Sequence, residues 1–332
     1  MAEATNHAPV VSVVIPVRNE APYLGACLEA VYSQTLPRCK YEIIVVDNLS
    51  DDGSYEIAEK HLALEPGDRL VRYSGSSIGA VRNFGFSLAA GQIIAFLDGD
   101  SVPDPSWLDT VLDLFEDRPE TGCIGFAMKT PGAQATWIER DWHCATEGNR
   151  RVGTEVVSWV PSFNLAVRRE RFEEVGGFDE TLETGEDYDL GHKLAARSKV
   201  VRSDRVLVEH LGGTGDLASF FRKERWRGLG TVDLLTAPGM KIKATARLAV
   251  PVLYLVALCS LPVLVMLEAS GHLASWAVIP SLVVVAGFPV ALALRRGIRS
   301  LPTLTRVSFL YSVYLIARAI APFDALRNSI IR

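Results

Sequence analysis

Short β-branched runs alternate with helix-like stretches through the first hundred residues of this chain, and that alternation leaves few folds open. The runs fall at 10–15, 43–46, 70–73 and 93–97, with helical patterns over about 21–34, 54–64 and 78–90 between them. Strand–helix–strand units close by right-handed crossovers, so an α/β fold is expected: a mostly parallel, Rossmann-like sheet with helices on both faces. The strands are continuously apolar, as burial on both faces requires. From Pro105 to about Gly230 the alternation loosens. A helix is expected at 105–115, strands near 123–128 and 164–167, a loop at 176–185, a helix over about 187–196 and a strand near 200–208. This reads as the second half of one domain, giving a tail over 1–9, a main domain over 10–230 and a distinct region over 231–332.

That last region has another character. After Arg247 no charge occurs before Glu268, and 273–294 is a second uncharged apolar run. Each is about 20 residues, the length that spans roughly 30 Å of hydrocarbon at ~1.5 Å per residue. Lys241, Lys243 and Arg247 lead into the first run, Arg295, Arg296 and Arg299 follow the second, and the link 268–272 carries no Lys or Arg. Basic ends stay in the cytosol, so helices at about 247–267 and 273–294 are expected to form a membrane hairpin. Two buried helices of a large soluble core are the alternative. A third apolar stretch, 304–323, contains Arg306 and Arg318 and could either span or lie at the interface.

The net charge of −5 is unevenly distributed: residues 245–332 carry a balance of +6, leaving −11 on the first 244. An acidic body excludes nucleic acid as a partner, because a phosphate backbone needs a basic stripe. A nucleotide is still admissible, since a bound cation inverts the local field. The five cysteines show no CxxC pairing or metal-ligand spacing, which suits reduced thiols in a reducing compartment. The first apolar segment is short and rich in Val and Ile, a strand rather than a signal peptide.

In a parallel α/β sheet, ligands bind beyond the carboxyl ends of the strands. The first strand is followed there by Pro16, Val17, Arg18, Asn19 and Glu20, the second by Asp47 to Gly53, and the fourth by Asp98-Gly99-Asp100. Three strands thus deliver polar or acidic groups to one edge. Asp98 and Asp100, two apart on an extended segment, point to one side. Paired carboxylates with open positions suit Mg²⁺ or Mn²⁺ shared with phosphate oxygens; a plain Asp-Gly-Asp turn is the bland alternative. Arg82, in Gly79–Gly85, could reach phosphates or sit in a close-packed helix start. Glu186 and Asp187 open a helix, where capping alone would explain acids, yet a loop-to-helix corner also suits a general base. His210 ends a late strand and could complete a metal shell or be structural. Arg222 and Arg225 share a helix face and could bind phosphate, and Trp226 could stack on a sugar or sit among headgroups.

Taken together, Val11–Glu20, the acidic turn Asp47–Gly53, Gly79–Gly85, Asp98-Gly-Asp100, Glu186-Asp187 and Arg222–Trp226 resemble the family 2 glycosyltransferases, over about residues 10–230. The resemblance implies a GT-A fold and inverting transfer from a nucleoside-diphosphate sugar, UDP-sugars favoured, with a divalent metal. It implies that Asp47 and the Pro16–Glu20 loop hold base and ribose, Asp98 lies near the ribose, Asp100 binds the metal, Asp187 is the base, and Trp159 and Asn164 shape the acceptor pocket. The family's glutamine-x-x-Arg-Trp signature has Arg222 in place of glutamine. With two or three membrane helices, single-sugar addition is expected rather than polymer extrusion.

The expected acceptor is a hydroxyl, on a lipid-linked glycan or glycolipid, at the cytosolic face of a bilayer. Polyprenyl-phosphate sugar synthesis is the runner-up, and a non-catalytic sugar-nucleotide-binding membrane protein the non-enzyme reading. A glycoside hydrolase would need two carboxylates flanking the scissile bond, and a pyrophosphorylase a basic, Gly-rich loop after the first strand. A metal-bound nucleotide leaves without such an acid, and Val17-Arg18-Asn19-Glu20 is not such a loop.

Overall fold

A computed structural model describes residues 8–62, 67–132, 134–148, 152–233 and 241–331. Most of the expected tail, and the last two residues of the expected 54–64 helix, lie outside these residues. The chain divides into two compact units, Met1–Lys129 with Arg151–Gly212, and Thr130–Arg150 with Gly213–Arg332.

The first unit opens with β1 (Val11–Val17), α1 (Ala21–Tyr32), β2 (Tyr41–Asp47), α2 (Ser54–Leu62), β3 (Arg69–Arg72), α3 (Ile78–Leu88) and β4 (Ile93–Leu97). These strands pair in parallel in the order β3-β2-β1-β4, so the chain reverses its direction of build at β1. Such a reversal leaves a crevice at the carboxyl ends of β1 and β4. Every residue of β1, β2 and β4 is buried, which explains their unbroken apolar sequence. One face (Val13, Ile15, Ile43, Val45, Ala95) packs on α1 residues Leu24, Leu28 and Val31 and on Trp107 and Leu108. The other (Val14, Ile44, Ile94, Phe96) packs on Val81, Phe172, Phe178 and Leu190.

The sheet then turns mixed. β5 (Ser101–Pro103), α4 (Trp107–Asp117), β6 (Thr121–Met128), α5 (Trp137–Glu147), β7 (Glu155–Val157), β8 (Asn164–Arg168), α6 (Arg169–Glu174), α7 (Glu186–Ala195) and β9 (Lys199–His210) follow in order. β8 is antiparallel to both β4 and β6, while β6 and β9 are parallel. β5 does not continue beside β4. It pairs antiparallel with the far end of β9, setting Ser101 opposite His210.

The second unit is helical: α5, α8 (Leu217–Asp233), α9 (Lys241–Ala269), a helical stretch over Ser275–Arg295 and a C-terminal helix, Leu301–Ile331. Three segments, Arg247–Ala269, Ser275–Arg295 and Leu301–Ala325, are long and apolar enough to cross a membrane. The middle one is irregular. Pro289 cannot donate to the carbonyl four residues back, at Val285, and a π-turn occupies Val283–Gly287 there. Tyr254 of α9 sets its hydroxyl 3.4 Å from that carbonyl. The C-terminal helix is fastened to its neighbours by ion pairs. Arg306 pairs with Asp141 of α5, and Arg318 with Glu224 of α8 at 2.8 Å. Arg225 of α8 forms a two-pronged pair with Asp324. Trp142 of α5 packs edge-on against Phe220 of α8 and Tyr311 of the C-terminal helix.

Candidate functional site

The loops after β1 and β2 form one laced surface. Asn19 N donates to Ser50 Oγ at 3.0 Å, Asp51 N to Asn19 Oδ1 at 3.0 Å, Glu20 N to Ser54 Oγ at 2.8 Å, and Ala21 N to Asp52 Oδ2 at 2.9 Å. The lacing holds two non-glycine residues in the left-handed region, Asn19 at φ 58° and Leu49 at φ 54°. Strain of this kind collects at ligand-binding loops.

Asp47 ends β2 with its side chain buried. Its Oδ2 accepts the Ser50 N–H at 3.3 Å and lies 3.7 Å from Arg72 Nε, while Oδ1 is buried with no hydrogen-bond partner. A buried, unsatisfied carboxylate oxygen at a strand end calls for a donor, which water, an ion or a ligand can supply. Arg72 was not singled out from the sequence, although it ends β3 and the strand-end rule that found Asp47 applies to it equally. It also stacks over Tyr55, 3.9 Å from the ring centre.

Arg82 joins two further strand and helix ends. From α3, at 2% exposure, it donates from Nη2 to Asp98 Oδ1 at 2.7 Å and from Nη1 to Glu186 Oε1 at 2.6 Å. Phe178 lies under the guanidinium, 5.5 Å away. The sequence offered Arg82 as a reach toward phosphates; both terminal nitrogens are instead engaged by carboxylates. Ser162 Oγ adds a second contact to Glu186 Oε1 at 3.3 Å, and nothing in its sequence context marks it.

Gly185, at φ 87°, turns the chain into α7 through a conformation that glycine adopts without strain, and Glu186 and Asp187 follow at once. Asp187 accepts the Tyr188 N–H at 2.7 Å. Burial and the neighbouring Glu186 carboxylate push its carboxyl up from 3.8 to about 7, against the pull of Arg82 and of the Tyr188 and Ser162 N–H groups. A carboxyl group that titrates near neutrality is suited to proton transfer. One turn on, Gly191 lets the 158–160 segment press against α7, and Trp159 meets Tyr188 edge-on with ring centres 5.6 Å apart.

Asp100 follows Gly99 at the β4 edge, buried, with Oδ2 3.4 Å from His210 Nε2. The β5–β9 pairing produces this meeting, because opposing Ser101 to His210 draws the imidazole to the residue before β5. Gly212 passes so close to Asp100 Oδ2 that any side chain there would collide with it. Among the described residues no group of three or more His, Cys, Asp or Glu is arranged to hold a metal.

The remaining sequence candidates divide. Pro16 and Val17 lie within β1, Val17 packed in the core, and Arg18 is exposed at the loop start. Asn164 is not open to an acceptor. It is 1% exposed in β8, and its Oδ1 accepts the Phe126 N–H at 2.8 Å, tying β8 to β6. Arg222, Arg225 and Trp226 belong to α8 in the second unit; Arg222 and Trp226 are exposed there, and Arg225 is held by Asp324.

Comparison with known proteins identifies a family and a fold. Residues 12–176 match the family described as glycosyl transferase family 2. The chain is 36% identical over 208 residues to the glycosyltransferase AglE of Haloferax volcanii, covering 59% of this chain and 67% of that protein. It is 27% identical over 232 residues to the validoxylamine A glucosyltransferase of Streptomyces hygroscopicus, and there it spans only 54% of the relative. In fold it is similar to the mannosyltransferase PcManGT of Pyrobaculum calidifontis, solved with GDP-Man and Mn²⁺. The TM-score is 0.67 at 22% identity, over 96% of this chain and 88% of that one. TarS 1–349 of S. aureus, solved with UDP-GlcNAc, gives 0.51 at 15% identity over 96% and 92%. At such identities these structures speak for the fold alone, which is the GT-A glycosyltransferase fold. With acidic strand ends on a 3-2-1-4 sheet and a matching family profile over its first half, the chain is a glycosyltransferase and belongs to glycosyl transferase family 2.

Proposed function

We propose that this enzyme transfers a sugar, with inversion, from a nucleoside-diphosphate sugar to a hydroxyl acceptor on a lipid-linked glycan or glycolipid, at the cytosolic face of a membrane. The observation that carries the reading is the Asp98–Arg82–Glu186 bridge, which ties the end of β4 to the corner where Asp187 sits. In this reading Asp47 and the Pro16–Glu20 loop receive base and ribose, with Asp47 Oδ1 accepting from the base. Asp98, held by Arg82, lies beside the ribose. Asp187 takes the proton from the acceptor hydroxyl as that oxygen attacks the anomeric carbon, and Trp159 offers its ring to the acceptor sugar. UDP-sugars are the favoured donors; the relatives' GDP-Man and UDP-GlcNAc complexes mark the range to test.

Asp100 and His210 supply an oxygen and an imidazole nitrogen on one edge. These two donors would hold a divalent cation, Mg²⁺ or Mn²⁺, with positions left open for further oxygen ligands. Bound there, the ion would neutralise the departing diphosphate. The hairpin of Arg247–Ala269 and Ser275–Arg295 would anchor the enzyme beside a lipid acceptor. That anchor also favours a second reading, transfer to polyprenyl phosphate, where the acceptor is already anionic and needs no base.

The test is nucleotide release by the purified chain in detergent from a panel of UDP-, GDP- and dTDP-sugars, with a mixed membrane-lipid extract as acceptor. The expected result is release from one donor, lost with EDTA, in the Asp100→Ala variant and in Asp187→Asn. Unchanged transfer to polyprenyl phosphate by Asp187→Asn would move the conclusion to the second reading. No release and no saturable nucleotide-sugar binding would remove both.

A further inference from the structure

We infer that the C-terminal helix Leu301–Ile331 is an interfacial helix and not a third membrane span. It lies in the bilayer plane with Phe309, Ile316, Ile320 and Phe323 sunk into the acyl boundary. The inference rests on the proposed membrane hairpin and adds to it the surface that meets the headgroup layer.

By length and composition residues 301–325 could cross a bilayer. What lies against the helix is incompatible with that. Its charged residues are paired along its whole apolar length: Arg306 with Asp141, Arg318 with Glu224, and Asp324 with Arg225. From 306 to 324 is a rise of about 27 Å at ~1.5 Å per residue, close to the full thickness of the hydrocarbon. α5 and α8 therefore accompany this helix from one end of its apolar stretch to the other. α8 runs alongside it in the same direction, with Phe220 beside Leu310, Glu224 at Arg318 and Gly228 against Ala321.

Neither companion can enter lipid. α8 exposes Arg222 and Arg227, and α5 exposes Arg140. Crossing would carry all three into hydrocarbon, where basic side chains are strongly disfavoured. The two preceding segments show the contrast. Only 11% of each best apolar window is covered by protein, against 39% for the C-terminal helix, so they have the bare surface of lipid-facing spans and it does not.

The surface left uncovered is a single stripe. Phe309 is 49% and Phe323 66% exposed, with Ile316 and Ile320 half-buried between them at helical spacing. Val307, Leu310, Tyr311, Ala317 and Ala321, on the opposite arc, are buried. One apolar stripe under a basic, protein-covered back is the pattern of a helix lying at the headgroup–acyl boundary. Arg295, Arg296 and Arg299 immediately precede it and add positive charge suited to anionic lipid headgroups.

The experiment uses the full chain in sealed membrane vesicles, with the exposed Cys39, Cys144 and Cys259 replaced by Ser. A membrane-impermeant maleimide is then directed at Ser270→Cys, at Ser300→Cys and at a cysteine appended after Arg332. The expected result is Ser270→Cys labelled from one side, and Ser300→Cys and the appended cysteine from the other. The appended cysteine on the side of Ser270→Cys would establish a third span and overturn the proposal. Ser270→Cys and Ser300→Cys on the same side would instead show that the hairpin reading had failed, and this one with it. Nitroxide labels at Phe309→Cys, Ile316→Cys and Phe323→Cys give an independent readout of depth, from collisions with oxygen and with a nickel chelate. Equal, shallow depths are expected; a label at 316 deeper than its flanks by about 10 Å would also overturn the proposal.

Discussion

Arg82 donates to Glu186 at 2.6 Å from a side chain that is 3% exposed, onto a side chain that is 8% exposed. The same guanidinium holds Asp98 at 2.7 Å. One buried cation thus fixes two acids that come from distant parts of the sequence, each adjacent to a proposed reaction centre.

Removing that cation should be costly. Arg82→Met leaves Glu186 buried with Ser162 as its remaining hydrogen-bond donor in the described contacts. Loss of one partner of a buried pair typically costs about 3–5 kcal/mol. The double variant Arg82→Met/Glu186→Gln should recover a large part of it, because no uncompensated charge remains. Thermal unfolding in detergent of the two variants and the unsubstituted enzyme checks this. A loss for Arg82→Met alone that the second change does not reduce would contradict it.

Asp187 makes pH the second test. Its folded carboxyl is raised from 3.8 to about 7, so between those values the folded chain keeps a proton that the unfolded chain has released. Its contribution to stability is fully present well below pH 3.8 and is lost as the pH rises toward about 7. Activity should run the other way, because a base must be ionised. kcat/KM should climb about tenfold per unit below pH 7 and level off above it. The profile belongs to the Glu186–Asp187 pair jointly, and in Asp187→Asn the ascending limb should vanish together with most of the rate.

The Asp100–His210 contact predicts an unequal metal response. His210→Gln should raise the Mn²⁺ concentration needed for half-maximal activity by about 10–100-fold, with activity returning as Mn²⁺ is increased. Asp100→Asn should stay inactive at any Mn²⁺ concentration. Titration of nucleotide release against Mn²⁺ separates the two, and identical curves would remove His210 from the metal reading.

Gly191 is the packing test. A methyl group there would meet Trp159 Cα at 2.6 Å, on backbone that has little room to give. Gly191→Ala should cost about 1–3 kcal/mol, the usual range for overpacking. It should also raise KM for the acceptor more than for the donor, since the displaced segment carries Trp159. An unchanged acceptor KM in a destabilised variant would confine Gly191 to packing.

Much of this arrangement was legible in the sequence. Uninterrupted β-branched runs could only be strands buried on both faces, and residues beyond their carboxyl ends had to share one edge. Asp47, Asp98 and Asp100 followed from chain order, because a parallel strand places its last residue in a known place. Two uncharged runs of membrane length needed no tertiary context either, since every backbone group in lipid must bond within its own helix.

Tertiary structure decided everything that depends on which distant segments meet. β5 leaves β4 to pair with β9, and only that antiparallel register brings His210 to Asp100. Ser162 and Phe178 carry no local signal strong enough to be singled out; they matter through proximity to Glu186 and Arg82. The family resemblance implies an acceptor-pocket place for Asn164, yet inter-strand pairing buries it and uses its oxygen. The C-terminal helix has the composition of a span, and its charges become meaningful only through Asp141, Glu224 and Arg225, their partners across the helical unit. Sequence periodicity reports which face of an element avoids water; which neighbour covers that face is set by pairing and packing over long separations in the chain.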